Sequence, residues 1–224
     1  MTPALAIRAA NRFRRMLRLD PIPTEIASRD AFGEIYAANL WGSAESRSGA
    51  GSSVEGTAKL RTLLARVIRH RDLRVLLDAP CGDFNWMCHV DLGPAHYIGA
   101  DVVDELIASN RRSFGTARRE FIAADVVSDR LPQADLVLCR HLLIHLSLAQ
   151  GIAALENFRR TGARYLLTTT NPTLGRNREI VRTGAFRPVN VERPPFTLRP
   201  PLEILPDPQG AGDPTVLGLY RLNP

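Results

Sequence analysis

Leu73-Arg74-Val75-Leu76-Leu77-Asp78-Ala79-Pro80-Cys81-Gly82-Asp83-Phe84-Asn85-Trp86-Met87 is the stretch on which the fold turns. Leu73 to Asp78 is an apolar, partly β-branched run that reads as a short strand. Pro80 and Gly82 then mark a turn, and Phe84 to Val90 is expected to open a helix. A strand feeding a turn and then a helix is the unit from which parallel sheets are built. In an open sheet of that kind ligands sit beyond the carboxyl ends of the strands, so the turn at 79–83 is where a site is to be sought.

Downstream the alternation continues. Tyr97 to Asp101, Glu120 to Ala123, Asp135 to Cys139 and Tyr165 to Thr170 read as strands, and Val103 to Phe114 and Ser147 to Arg160 as helices. This order implies a parallel sheet covered on both faces. From about Asn171 the pattern breaks. Pro188 to Pro208 is crowded with proline and is expected to run as extended loop over the surface. Val216 to Leu222 reads as a terminal strand on the antiparallel side of the sheet. Upstream, Val54 to Arg69 has apolar residues at helical spacing, and residues 42–53 are a Gly/Ser-rich loop. Met1 to Leu19 reads as a basic amphipathic helix, a solvated one in the simplest case, with membrane-surface contact as the alternative. The expected organisation is an N-terminal segment over 1–53 and one α/β domain over 54–224.

Composition sets bounds. The 224 residues carry 29 basic and 23 acidic side chains, a net charge of +6, and 45% are hydrophobic, as in a globular chain with a real core. Lys59 is the sole lysine, and the arginines are spread along the chain, so a nucleic-acid partner is not implied. No apolar run approaches the roughly 20 residues a transmembrane helix needs. Cys81, Cys88 and Cys139 are odd in number and lack metal-type pairing, which fits a reduced, cytoplasmic chain without structural zinc.

Four signals fall at successive strand ends. Gly82 lets the first turn approach a ligand closely. Asp101 lies 23 residues after Asp78 and can accept from the hydroxyls of a ribose. Asp125 follows the third strand and can accept from an exocyclic adenine amine. Arg140 and His141 follow the fourth strand, at the carboxyl edge. Each signal alone is weak, since a lone acid at a strand end is commonly a cap; the ordering carries the weight.

In that order VLLDAPCGDFNWM, YIGADVV, FIAADVV and DLVLCRHLLIHLS resemble the cofactor motifs of class I S-adenosylmethionine-dependent methyltransferases, over about residues 73–170. With LWGSAESRSGAGSS, YLLTTT and FRPVNVERPPFTL they resemble a bacterial and viral group of such enzymes whose acceptors are poorly defined. The resemblance implies a Rossmann-like, doubly wound, mainly parallel seven-stranded sheet with an antiparallel C-terminal strand. It implies that Asp78 and Gly82 shape the turn under the methionine part, that Asp101 holds the ribose, and that Asp125 and the Val126 amide meet the adenine. Ala79, Pro80, Cys81, Asp83, Trp86 and Val102 line the same site, and Arg140 and His141 border the transferred methyl. The usual turn has three glycines at alternate positions, and here Pro80 and Phe84 replace two of them. This argues against a dinucleotide, whose pyrophosphate needs that close approach. The narrower group carries an acid where this chain has His141.

Methyl transfer needs alignment, exclusion of water and, for a hydroxyl or ammonium acceptor, a proton acceptor. His141 and His145 are the candidates for that role. Cys139 reads as a small core residue. The loop Trp41 to Ser53 is expected to act as a lid, with Ser48, Gly49 and Gly51 offering backbone donors to the cofactor carboxylate. Arg187, Asn190 and Phe196 are expected to form an acceptor wall. The leading reading is methyl transfer to a small molecule, a sugar or another hydroxyl compound. The alternatives are a non-catalytic cofactor-binding or partner-binding module and a nicotinamide-dependent oxidoreductase. Oligomeric state is not legible.

Overall fold

The computed structural model describes residues 28–41 and 43–223; the expected basic helix at Met1 to Leu19 lies outside them. Helix α1 (Ser28–Ala37) and a loop lead into α2 (Ala58–His70). The sheet then alternates with helices: β1 (Val75–Asp78), β2 (His96–Asp101), α3 (Asp104–Phe114), β3 (Arg119–Ala123), β4 (Leu136–Cys139), α4 (Leu148–Arg160) and β5 (Tyr165–Thr170). Two further strands close it, β6 (Glu203–Pro206) and β7 (Val216–Arg221). The order across the seven-stranded sheet is β3-β2-β1-β4-β5-β7-β6. The first five strands pair in parallel, whereas β7 runs antiparallel to both β5 and β6. The chain therefore winds outward in both directions from β1, and the crevice of a doubly wound sheet opens between β1 and β4.

The parallel strands are buried along nearly their whole length, which is why they read as continuous apolar runs (Leu76, Leu77; Leu136, Val137, Leu138; Leu166, Leu167) and not as alternation. The last parallel helix begins where the sequence placed it: Ser147 caps α4 by accepting from the Gln150 amide, and the Gln150 side chain accepts in return from the Ser147 amide.

Two expectations fail. The helix at Phe84 to Val90 is only one 3₁₀ turn, Met87–His89. The chain there is spent on packing: Phe84 has φ +62° and sends its ring inward against Tyr97, Phe114 and Phe121, with centroids 5.0–5.1 Å apart. The proline-rich tract is not a surface loop. Val189, Val191, Phe196 and Leu198 are buried, and residues 203–206 are a strand. Gly151 permits this, because a Cβ there would stand 2.8 Å from the Phe196 ring, so α4 and the tract touch directly. Pro206 is tolerated because β6 is an edge strand whose outer side needs no donor. Among the described residues no helix is long and apolar enough to cross a membrane.

Candidate functional site

A cavity of about 320 Å³ opens at the carboxyl ends of β1 and β2, beside β4. Asp78, Pro80, Cys81, Gly82, Asp83, Trp86, Asp101, Val102, Asp125, Val126, Arg140, His141 and His145 all line it. Ala79 does not; it is buried and its amide donates to Leu138 O, tying β1 to β4.

Gly82 adopts φ +53°, and a Cβ there would run into Ser48 Oγ. The turn is therefore shaped by a residue that must lack a side chain. Its amide donates to Asp101 Oδ2 at 3.1 Å, and the Val103 amide donates to Asp101 Oδ1 at 3.1 Å. Each carboxylate oxygen still keeps a lone pair for a further donor. Burial pushes the Asp101 carboxyl up to about 6, against the backbone donors that pull it down. Asp125 Oδ1 accepts from the Val127 amide at 2.9 Å, and no acceptor among the described residues takes the Val126 amide. A carboxylate beside an unspent donor can pair with the amine and ring nitrogen on the edge of an adenine.

Asp83 is differently employed. It accepts from Ser46 Oγ (2.9 and 3.0 Å), the Arg47 amide (2.9 Å) and Ser48 Oγ (3.2 Å), so its carboxylate anchors the loop above the cavity. The same loop receives Asn85 Nδ2 on Glu45 Oε1 and Ser52 O. The segment expected to be a lid is thus hydrogen-bonded to the turn beneath it. The Ser48 and Gly49 amides, expected to face a carboxylate, donate instead to Ser46 Oγ and Ser46 O, because the loop closes its own tight turn. Arg187, Asn190 and Phe196 form no wall on this cavity. Arg187 donates to Leu146 O, and Asn190 bonds Leu174 O and the Glu192 amide, so both brace the proline-rich tract. Trp41, on the wall of this cavity, and Phe186, outside it, flank His145 at centroid distances of 5.4 and 6.2 Å.

Asp207, just beyond β6, escaped the sequence reading. Arg140 donates to it through Nε (2.9 Å) and Nη2 (2.8 Å), and Nη2 also donates to Gly51 O (2.8 Å). His141 Nε2 lies 3.2 Å from Asp207 Oδ2. Both Arg140 and Asp207 are buried, and the guanidinium lies 5.3 Å from the Trp86 ring centre. Burial pushes the Asp207 carboxyl up, but contact with His141 and the Arg140 charge outweigh it and hold it below the ordinary range. Asp207 lies near the end of the proline-rich tract, which has no periodicity, so no sequence signal pointed to it.

Asp78, at the end of β1, is fully enclosed and accepts from Tyr97 Oη at 2.7 Å. Desolvation pushes it up to about 7, although Tyr97 and Arg140 pull it down. In the folded chain it holds a proton that the unfolded chain releases at 3.8, so its contribution to stability falls as pH rises through that window and is level above about 7. His145 acts oppositely. Burial pushes it down to about 4, and its contribution grows with pH between that value and 6.5. The two overlap, so a variant isolates the first. Asp78→Asn keeps an acceptor for Tyr97, and its melting temperature relative to the parent should rise between about pH 4 and 7 and level off above that. A pH-independent difference in a thermal-shift series would show that Asp78 is ionised throughout.

No protein-family model matches the sequence, and no curated protein matches it either. Solved structures do. Magnesium protoporphyrin IX methyltransferase from Synechocystis, with S-adenosylmethionine bound, is similar at a TM-score of 0.58 and 11% identity, over 89% of this chain and 100% of the other. The N-methyltransferase NodS from Bradyrhizobium japonicum, in complex with S-adenosylhomocysteine, is similar at 0.59 and 15%, over 83% and 97%. Human N-acetylserotonin methyltransferase is similar at 0.52 and 13%, over 88% of this chain and 60% of its own. At such identities the likeness is one of architecture: the chain has the Rossmann-like α/β fold of S-adenosylmethionine-dependent methyltransferases.

Proposed function

We propose that this chain binds S-adenosylmethionine in the cavity between β1, β2 and β4 and transfers its methyl group to a small-molecule acceptor, a sugar or another hydroxyl compound. The observation that carries the reading is the set of donors and acceptors on the cavity wall. Asp101 keeps a lone pair on each oxygen for a ribose diol, Asp125 and the Val126 amide offer the complement of an adenine edge, and Gly82 leaves the turn bare for the methionine part. These residues fit the cofactor, which when bound supplies an electrophilic methyl on a sulfonium with a neutral leaving group. The turn retains one glycine where a pyrophosphate would need more, which favours this ligand over a dinucleotide. The sequence motifs at 41–53 and 73–87 and the tract at 186–198 support the narrower bacterial and viral group. The free cysteines suit the cytoplasm.

The chain's own residues then have separable tasks. Asp101 and Asp125 fix the nucleoside. The Ser46–Ser48 loop, anchored on Asp83, covers the methionine end and excludes water. Arg140 braces β4 against Gly51 and Asp207. His141, on the wall, takes the acceptor's proton.

Asp101→Ala removes the acceptors at the ribose. S-adenosylhomocysteine is expected to bind about 5- to 150-fold more weakly, corresponding to about 1–3 kcal/mol for lost charged hydrogen bonds. Calorimetry measures this directly, with far-UV circular dichroism to establish folding. Unchanged affinity removes Asp101 from the site. Methyl-labelled cofactor incubated with the chain and a metabolite extract then tests turnover: a labelled small product supports transfer, and binding without product supports a non-catalytic module.

A further inference from the structure

His141 stands on the wall between two cavities. One is the cavity described above. The other, about 290 Å³, lies beyond the carboxyl ends of β4 and β5 and is lined by Ile144, Thr169, Phe186, Val189, Gln209 and Thr215 among others. Its position is unusually constrained. The backbone is left-handed at φ +56°, and the amide donates to Thr169 Oγ1 at 2.8 Å. A side chain at Gly51 would come within 3.0 Å of Cε1 and 3.2 Å of Nδ1. Nε2 is buried and makes no well-aligned hydrogen bond, and the acidic oxygen beside it is Asp207 Oδ2, 3.2 Å away but off the N–H axis.

We propose that Asp207 and His141 form a dyad in which the Asp207 carboxylate, 3.2 Å from Nε2, favours the ring tautomer with its hydrogen on Nε2, leaving the Nδ1 lone pair to accept the proton of a hydroxyl acceptor. The inference rests on the methyltransferase reading for its reaction and on geometry alone for the dyad. A carboxylate can only accept, so the ring nitrogen facing it carries the hydrogen and the other carries the lone pair. Arg140, bidentate on the same carboxylate, fixes Asp207 in place, which makes Asp207 a positioning residue. The charged groups around the ring are Arg140, Asp207 and Asp213; burial and Arg140 favour the neutral ring, while the two acids oppose them. His141 is therefore ready to accept a proton near neutral pH. As the acceptor oxygen forms its bond to the methyl carbon, the carbon–sulfur bond breaks with its electron pair left on sulfur. The hydroxyl proton passes to Nδ1 and from there to water. Asp207 stays ionised and stabilises the transient imidazolium, the role an acid plays behind a catalytic histidine.

Nitrogen-15 NMR of the histidine rings in the full chain tests the dyad without turnover, with His141→Gln assigning the signals. Nε2 is expected to be protonated and Nδ1 bare at neutral pH, and Asp207→Asn is expected to mix the tautomers. A ring protonated at Nδ1 in the parent chain, or signals indifferent to Asp207→Asn in a folded variant, overturns the proposal; if that variant does not fold, the parent tautomer decides. In the metabolite-extract assay His141→Gln is expected to lower labelled ether formation by at least about 100-fold, the usual worth of general-base catalysis, and undiminished product would overturn the proton-acceptor role. Failure of S-adenosylhomocysteine to bind the parent chain would sink the methyltransferase reading while leaving the tautomer measurement intact.

Discussion

Asp207→Ala is expected to destabilise the chain by about 3–5 kcal/mol, the cost of leaving a buried charge without its partner. The stranded group is Arg140, which would retain only Gly51 O as an acceptor. Solvent cannot replace the carboxylate, because the side chains of the pair are only 5% and 3% exposed. The change also releases the segment after β6 from the end of β4, so the loss should appear in urea denaturation as a lower midpoint. Arg140→Met combined with Asp207→Leu separates charge from packing. Apolar replacement of a whole buried pair is often near neutral, so the double variant should recover most of the loss. A single variant within about 1 kcal/mol of the parent would mean that water reaches Arg140.

Phe84→Ala should cost about 3–5 kcal/mol, as for other buried aromatic truncations. The ring is 1% exposed, packs on Tyr97, Phe114 and Phe121, and lies 5.0 Å beneath the Arg119 guanidinium. Alanine inherits the left-handed backbone at φ +62°, so truncation relieves no strain. Phe84→Gly removes the same ring but suits that conformation, and should be about 1 kcal/mol less destabilised than the alanine variant. Equal losses would show that the backbone there is unstrained. Phe84 thus explains how the turn dispenses with a glycine at this position: the aromatic cluster offsets the conformational cost that glycine would have avoided.

The lining of the candidate site was legible where chemistry is local to a strand end. Asp78, Gly82, Asp101 and Asp125 each follow an apolar run closely enough that the period of the sheet places them, and all four line one cavity. The readings that failed depended on long-range packing. Arg187, Asn190 and Phe196 looked like an acceptor wall because they are polar or aromatic in an irregular tract, yet Gly151 draws Phe196 into the core. Asp83 lines the cavity as expected, but its carboxylate is also held by Ser46 and Ser48, more than thirty residues earlier, which no local pattern announces. His145 lines the cavity too, and its stacking on Trp41 and the approach of its Nδ1 to Ala185 O at 3.2 Å are contacts set by segments far away in sequence.

By itself the sequence determined the alternation of strands and helices, the parallel sheet with its antiparallel finish, and the acids at the ends of β1 and β2 and after β3. Burial and backbone periodicity act over a few residues, so they are written in short runs. Only the tertiary structure decided that Asp207 meets Arg140 and His141, that the Gly/Ser loop is tied to Asp83, and that the proline-rich tract supplies core and an edge strand. Those contacts join segments that are distant in the chain, and their energies depend on which groups lose water together when the sheet closes.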